Sequence, residues 1–220
     1  MKYWCFDLFL TLMDVRRGLP REKDLIGVSR EEWARCYELP AFYERRNRGL
    51  VTEPIEICRE LIAAFGKRLD EAGVREFLRK REDALRLDLM EIRPEILETL
   101  RALKSRGCEL CLVSNADAID VLHWADSPLA PLFDHAIFSY QVGMIKPEPG
   151  IYWLAMKRLG VPPADCVFVG DGGSNELAGA KAVGMRTIQV RHIVKRSPIE
   201  DADIILDDFR DILSYTGEHA

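Results

Sequence analysis

No apolar run in the 220-residue chain approaches the ~18 residues that a membrane-spanning helix needs. The first residues reach an acid, Asp7, without the long apolar core of a signal peptide, so a cytoplasmic location is expected. Positive charge is not in excess: 31 basic against 36 acidic residues leave a net charge of −5, which argues against a protein built around a nucleic-acid backbone. Internal repeats and low-complexity segments are absent. Histidine is scarce, and His123, His135, His192 and His219 stand beside no motif; they read as structural or surface residues. Six cysteines without an export signal read as reduced thiols, not a disulfide framework. Cys108 and Cys111 have redox or zinc spacing, but on a strand residues three apart point to opposite faces.

What is present is ordinary for a globular chain: 48% apolar and 30% charged residues. Short apolar runs at 3–8, 109–113, 136–139, 166–169, 186–190 and 204–206 predict strands. Between them lie helical patterns. One opens at Pro94, carries Ile96, Leu97, Leu100 and Leu103 at helical spacing, and stops at Gly107. Others cover 148–159, closed by Gly160, and 174–183. The pair Asp207 and Asp208 should start a last helix. Strands alternating with helices indicate an α/β fold, a parallel Rossmann-like sheet with helices on both faces.

Residues 14–91 break the alternation with helices and no convincing strand. Ser29 and Glu32 form a capping box ahead of Trp33, Cys36 and Tyr37. Pro40 restarts a helix that ends near Gly49, Thr52 is placed to cap the next one, and a charged helix is expected over 70–86. The expected organisation is an α/β core of residues 1–13 and 92–220 with an inserted all-helical domain of residues 14–91.

Ligands of open α/β sheets bind beyond the carboxyl ends of the strands. Those ends carry Asp7, Ser114 with Asn115, Lys146 before Pro147, and the run Gly170-Asp171-Gly172-Gly173-Ser174-Asn175-Glu176. Carboxylates suit Mg²⁺, lysine and hydroxyl suit phosphoryl oxygens, and an aspartate can attack phosphorus. Against this stand plainer readings: Asp7 as a turn residue, Lys146 as a common loop pairing, and Ser174 as a helix N-cap with no ligand. Arg45, Arg46 and Arg48 read first as a solvated helix face. The alternative is a loop whose arginines, Arg48 among them, meet an anionic substrate.

Taken in order, these four strand ends resemble the motifs of the haloacid dehalogenase-like hydrolase superfamily, with the insert where that family carries its smaller C1-type cap. The resemblance spans residues 2 to about 190. It implies Asp7 as nucleophile, and Thr11, Ser114 and Lys146 as holders of a phosphoryl group. It further implies Mg²⁺ held by Asp7, the backbone carbonyl of Phe9 and Asp171, with Glu176 supporting the metal or Lys146. The implied partner is a small, phosphorylated molecule, with neither nucleic acid nor membrane involved, and the protein a monomer or homodimer.

Two positions depart from the family pattern. Phe9 stands where its phosphatases carry a second acid, and Leu10 where glycine is usual. General acid–base help is worth ~10²–10⁴-fold, so activated phosphates should be favoured over alkyl esters. Phe9 also keeps two alternatives open. One is a 2-haloacid dehalogenase, against which Asp171 argues; the other is a ligand-binding protein of this fold with weak or no turnover.

Overall fold

A computed structural model describes residues 2–15, 21–37 and 39–215. Six parallel strands form one sheet in the order β3-β2-β1-β4-β5-β6, with β1 Tyr3–Phe6, β2 Glu109–Ser114, β3 His135–Phe138, β4 Cys166–Gly170, β5 Arg186–Val190 and β6 Ile204–Leu206. Strand β1 sits in the middle because its residues are apolar on both sides. Trp4 and Phe6 enter one core with Leu110, Leu112, Val167 and Val169, and Cys5 enters the other with Cys111, Val113 and Phe168. This is the period-two consequence of the pleat, in a sheet buried on both faces.

Cys108 and Cys111 fall in opposite cores, as their spacing requires. Cys5, Cys58, Cys108, Cys111 and Cys166 are buried. The side chains of Cys36 and Tyr37, and all of His219, lie outside the described residues.

Among the described residues, five helices fall between positions 14 and 91: α1 Glu22–Leu25, α2 Arg30–Tyr37, α3 Pro40–Asn47, α4 Pro54–Ala64 and α5 Glu71–Met90. They enclose a core of their own, with Ile57, Leu61, Val74 and Phe77 buried and Trp33 stacked on Phe65 at 5.0 Å. The capping box before α2 is formed: the Ser29 amide donates to Glu32 at 2.9 Å, and the Glu32 amide donates to Ser29 Oγ at 3.1 Å. Thr52 does not cap α4. Glu53 occupies the N-cap and Pro54 the first helical position, where a fixed φ and a missing N–H cost nothing. Helix α5 runs four residues past its expected end, with Leu89 fully buried. The two chain segments that join these helices to the sheet meet each other, Arg93 donating to Asp14 Oδ2 at 2.6 Å.

Helices α6 Pro94–Ser105, α7 Ser139–Val142, α8 Pro149–Leu159 and α9 Glu176–Ala182 complete the alternation. Glu148 is the N-cap of α8, not its first residue, and Gly160 closes it in the left-handed conformation. Helix α9 starts at Glu176, two residues later than expected. Ser174 and Asn175 both have φ of +52° in the preceding 3-10 turn, so Ser174 makes no N-cap. Asp208 starts the final 3-10 helix, Phe209–Tyr215, by accepting from the Arg210 amide at 2.9 Å. Among the described residues no helix is long and apolar enough to cross a membrane.

Candidate active site

The strand order reverses between β1 and β4, and ligands of open sheets bind at such points. Because the two strands are parallel neighbours, with Phe6 opposite Val169, Asp7 and Asp171 leave the sheet side by side. The Asp7 amide is tied to Val169 O at 3.0 Å.

Lys146, from the loop between α7 and α8, reaches under both strands. Its ammonium contacts Asp7 Oδ1 and donates to Glu176 Oε2 at 2.6 Å. Thr11 Oγ1 donates to the other Asp7 oxygen at 3.0 Å, so both carboxylate oxygens are held. All four residues are buried.

The loops that deliver these groups are shaped closely. After Asp7 the chain turns back on Leu8 O, which accepts from the Leu12 and Met13 amides, both at 2.9 Å. That turn needs a left-handed residue, and Leu10 supplies it with φ of +59°. At Gly170 a Cβ would lie 2.1 Å from Glu176 Oε1, so only glycine lets the first residue of α9 fold back against the end of β4. Glu176 Oε1 accepts from the Gly172 amide at 3.1 Å, and Asp171 Oδ1 from the Gly173 amide at 3.0 Å.

Three carboxylates, with Lys146 on Asp7 and Glu176 and Arg196 on Asp171, outnumber their two cations and set the local electrostatics. Burial would depress the Lys146 ammonium, but Asp7 and Glu176 outweigh it and hold it well above the ordinary lysine value. Burial and the Asp7 charge push Glu176 up to about 8, and burial raises Asp7 despite Lys146. Such a set is under-neutralised and favours a further cation. One oxygen each from Asp7, Asp171 and Glu176 lie within 4.8 Å of one another, an all-oxygen donor set of the kind hard divalent ions take. These residues therefore fit Mg²⁺, with the Phe9 backbone on the same loop.

Asp7, Lys146, Asp171 and Glu176 line a cavity of about 300 Å³, as do Phe9 and Asn115. Thr11 and Ser114 are fully buried and are not among the lining residues. Among the described residues Ser114 Oγ has no hydrogen-bond partner.

Arg48 is not where an anionic substrate would need it. It is paired with Glu148, at 3.0 Å through Nη1 and 2.5 Å through Nη2, and donates to Gly143 O at 3.2 Å. This clamps the end of α3 to the start of α8. Of the three arginines in this run, Arg46, two residues earlier, lines the cavity.

Arg46 is buried in an ion cluster with Arg81, Asp117, Asp120 and Glu22, the last 3.6 Å from Arg81. It donates to Asp117 Oδ2 at 3.0 Å and Asp120 Oδ2 at 3.4 Å, and Arg81 of α5 reaches the same aspartates at 3.0 and 2.5 Å. Two further lining residues had no sequence motif. Tyr43, on α3, accepts from Asn115 Nδ2 at 2.8 Å; Arg196, beyond β5, donates to Asp171 Oδ2 at 2.6 Å. The i, i+3 spacing of Tyr43 and Arg46 puts them on one helix face, but the spacing does not say that this face turns to the cavity. No signal of spacing marks Arg196.

Comparison with known proteins agrees with this geometry. A model of the haloacid dehalogenase-like hydrolases matches residues 5–184. Rat bifunctional epoxide hydrolase 2 is 38% identical over 142 residues, 62% of this chain but 24% of the rat protein, so the chain spans about a quarter of that relative. Phosphoglycolate phosphatase 1 of Pseudomonas aeruginosa is 30% identical over 160 residues, 71% of this chain and 58% of the phosphatase. The (S)-2-haloacid dehalogenase 4A of Burkholderia cepacia is 29% identical over 196 residues, 84% of this chain and 80% of the dehalogenase. A crystal structure of a dehalogenase shares the fold with a TM-score of 0.74 at 23% identity, covering 100% of this chain and 98% of its own. With a parallel sheet whose strand ends gather Asp7, Lys146 and Asp171, and a family match over most of its length, the chain belongs to the haloacid dehalogenase-like hydrolases.

Proposed function

We propose that the protein is a Mg²⁺-dependent phosphohydrolase in which Asp7 is the nucleophile and a small phosphorylated molecule the substrate. The observation that carries this reading is the meeting of Asp7, Asp171 and Glu176, one oxygen of each within 4.8 Å of the others, with the Lys146 ammonium on Asp7 and Glu176. Asp7 attacks phosphorus, the ester or anhydride oxygen leaves, and water then hydrolyses the aspartyl-phosphate. Thr11 and Lys146 hold the Asp7 carboxylate in one orientation. The Lys146 ammonium and the Ser114 hydroxyl are the chain's own donors to phosphoryl oxygens. Mg²⁺, when bound, neutralises charge on those oxygens and on the carboxylates.

Phe9 offers no proton, so acyl phosphates are favoured over alkyl esters. The cavity of about 300 Å³ suits a small molecule. The helices between residues 14 and 91 serve as the cap over it, and the naming of the Pseudomonas relative as a phosphatase supports the assignment.

A second reading, C–halogen hydrolysis of a 2-haloacid, is favoured by Phe9 and by Arg196, a cation already on Asp171. The test is turnover of acyl, aryl and alkyl phosphates with and without Mg²⁺, beside halide release from several 2-haloacids in a chelator. Metal-dependent phosphate release, fastest from acyl phosphates, is expected. Halide release that survives the chelator, with no phosphate release, would move the assignment to the second reading.

A further inference from the structure

We propose that Tyr43 is the proton donor to the leaving oxygen, in the role that the Phe9 side chain cannot fill. The inference rests on the phosphohydrolase reading above and concerns the same cavity, which Tyr43 lines from α3.

Hydrogen-bond direction fixes where the Tyr43 proton can point. Asn115 Oδ1 accepts from the Lys146 backbone amide at 2.7 Å, which fixes the amide group: its Nδ2 must face Lys146 O, at 3.0 Å, and Tyr43 Oη, at 2.8 Å. Tyr43 Oη is therefore the acceptor in its bond with Asn115, and its own proton points elsewhere. The other polar neighbour given by the structure is Ser174 Oγ, at a long 3.4 Å, and Ser174 also lines the cavity. A phenol that accepts from a fixed amide keeps one O–H for an oxygen in the cavity.

The ring is held as firmly as the hydroxyl. The Arg46 guanidinium lies 5.4 Å from its centroid, and Arg46 is anchored in turn by Asp117 and Asp120. A donor fixed at both ends loses little freedom when substrate binds.

The step balances as follows. An Asp7 oxygen forms a bond to phosphorus as the bond from phosphorus to the alcohol oxygen breaks. That oxygen leaves with the Tyr43 proton, as the neutral alcohol. The water that attacks the aspartyl-phosphate returns a proton to the Tyr43 phenolate, and phosphate and the Asp7 carboxylate are regenerated.

The test compares wild type with Tyr43→Phe in the first turnover, so that cleavage is read apart from later hydrolysis. The substrates are glycerol 1-phosphate, whose alkoxide needs a proton, and acetyl phosphate, whose acetate does not. The phenyl ring keeps the packing under Arg46, and the acetyl phosphate rate controls for folding. Expected is an alcohol-release rate lower by ~10²-fold on glycerol 1-phosphate, with KM little changed and acetate release unaffected. Equal loss on both substrates would overturn the proposal, because it would make Tyr43 a positioning residue. Loss on neither would also overturn it. If wild type turns over neither substrate, the phosphohydrolase reading itself fails, before any variant is made.

Discussion

Arg196 donates through Nε to Asp171 Oδ2 at 2.6 Å, placing a guanidinium on the carboxylate that follows β4. The other Asp171 oxygen already accepts from the Gly173 amide, so a divalent ion that takes Asp171 competes with Arg196 for Oδ2. The Arg196 side chain is 41% exposed, and a pair of that exposure is worth up to about 1 kcal/mol. Arg196→Gln should therefore tighten Mg²⁺ binding by about two- to fivefold. Isothermal titration of the two proteins with Mg²⁺ alone measures it. Weaker binding in the variant would mean that Arg196 supports the ion instead of opposing it.

Phe9→Asp should raise Mg²⁺-dependent hydrolysis of alkyl phosphates by about tenfold or more, since a carboxylic acid two residues after Asp7 can protonate the departing oxygen. Phe9 is half-buried and packs against both the sheet core and the inserted helices, so the same change should also lower stability. In that background Tyr43→Phe should matter less, because a second donor is then present. Steady-state kinetics on the single and double variants read both effects.

The Arg46–Asp117 pair joins α3 to the segment after β2 and is almost wholly buried, with side chains 2% and 0% exposed. Burial works against the Asp117 carboxylate, yet Arg81 and Arg46 hold it below the ordinary range. Breaking such a pair strands a buried charge and costs about 3–5 kcal/mol. Arg46→Met should lose stability on that scale. Arg46→Met with Asp117→Asn should lose clearly less than the sum of the two single changes. Denaturant unfolding of the four proteins gives the coupling.

The His192 ring lies 5.0 Å from the Phe209 ring, and both its nitrogens are buried and, among the described residues, without hydrogen-bond partners. Burial, aided by Arg93, lowers its pKa to about 4. An unfolded histidine titrates near ~6.5, so between those values the unfolded chain holds a proton that the folded chain does not. His192 therefore lowers stability as pH falls through that window, by at most about 3 kcal/mol, and has no such effect above it. His192→Leu should flatten this part of the acid limb. Unfolding free energies from pH 7 to pH 4 on both proteins measure the difference.

The strand ends were readable because each chemical residue follows an apolar run, and in a parallel sheet all such ends share one edge. Asp7 and Asp171 thus come together without any knowledge of side-chain packing, whereas Lys146 arrives from the loop beyond α7. The helical nature of the insert was equally visible in its periodicity. Contacts across the cavity were not. Asn115 meets Tyr43 from 72 positions away, and no local pattern encodes which face of α3 turns towards the sheet. Arg46 and Arg48 could not be told apart for that reason: both belong to one charge run, and only packing separates the Arg48 clamp on Glu148 from Arg46 on the cavity wall. Ser174 misled because its hydroxyl suits an N-cap, whereas its positive φ places it one turn before the helix.

The account stands on Asp7 as the attacking group. Acid-quenching the wild-type protein during turnover of acetyl phosphate with Mg²⁺, followed by peptide mass spectrometry, tests this directly. The account predicts one added phosphoryl group on the peptide that holds Asp7, lost in Asp7→Asn together with turnover while the fold is kept. Turnover with no phosphoryl group on that peptide, or undiminished turnover in Asp7→Asn, would contradict it.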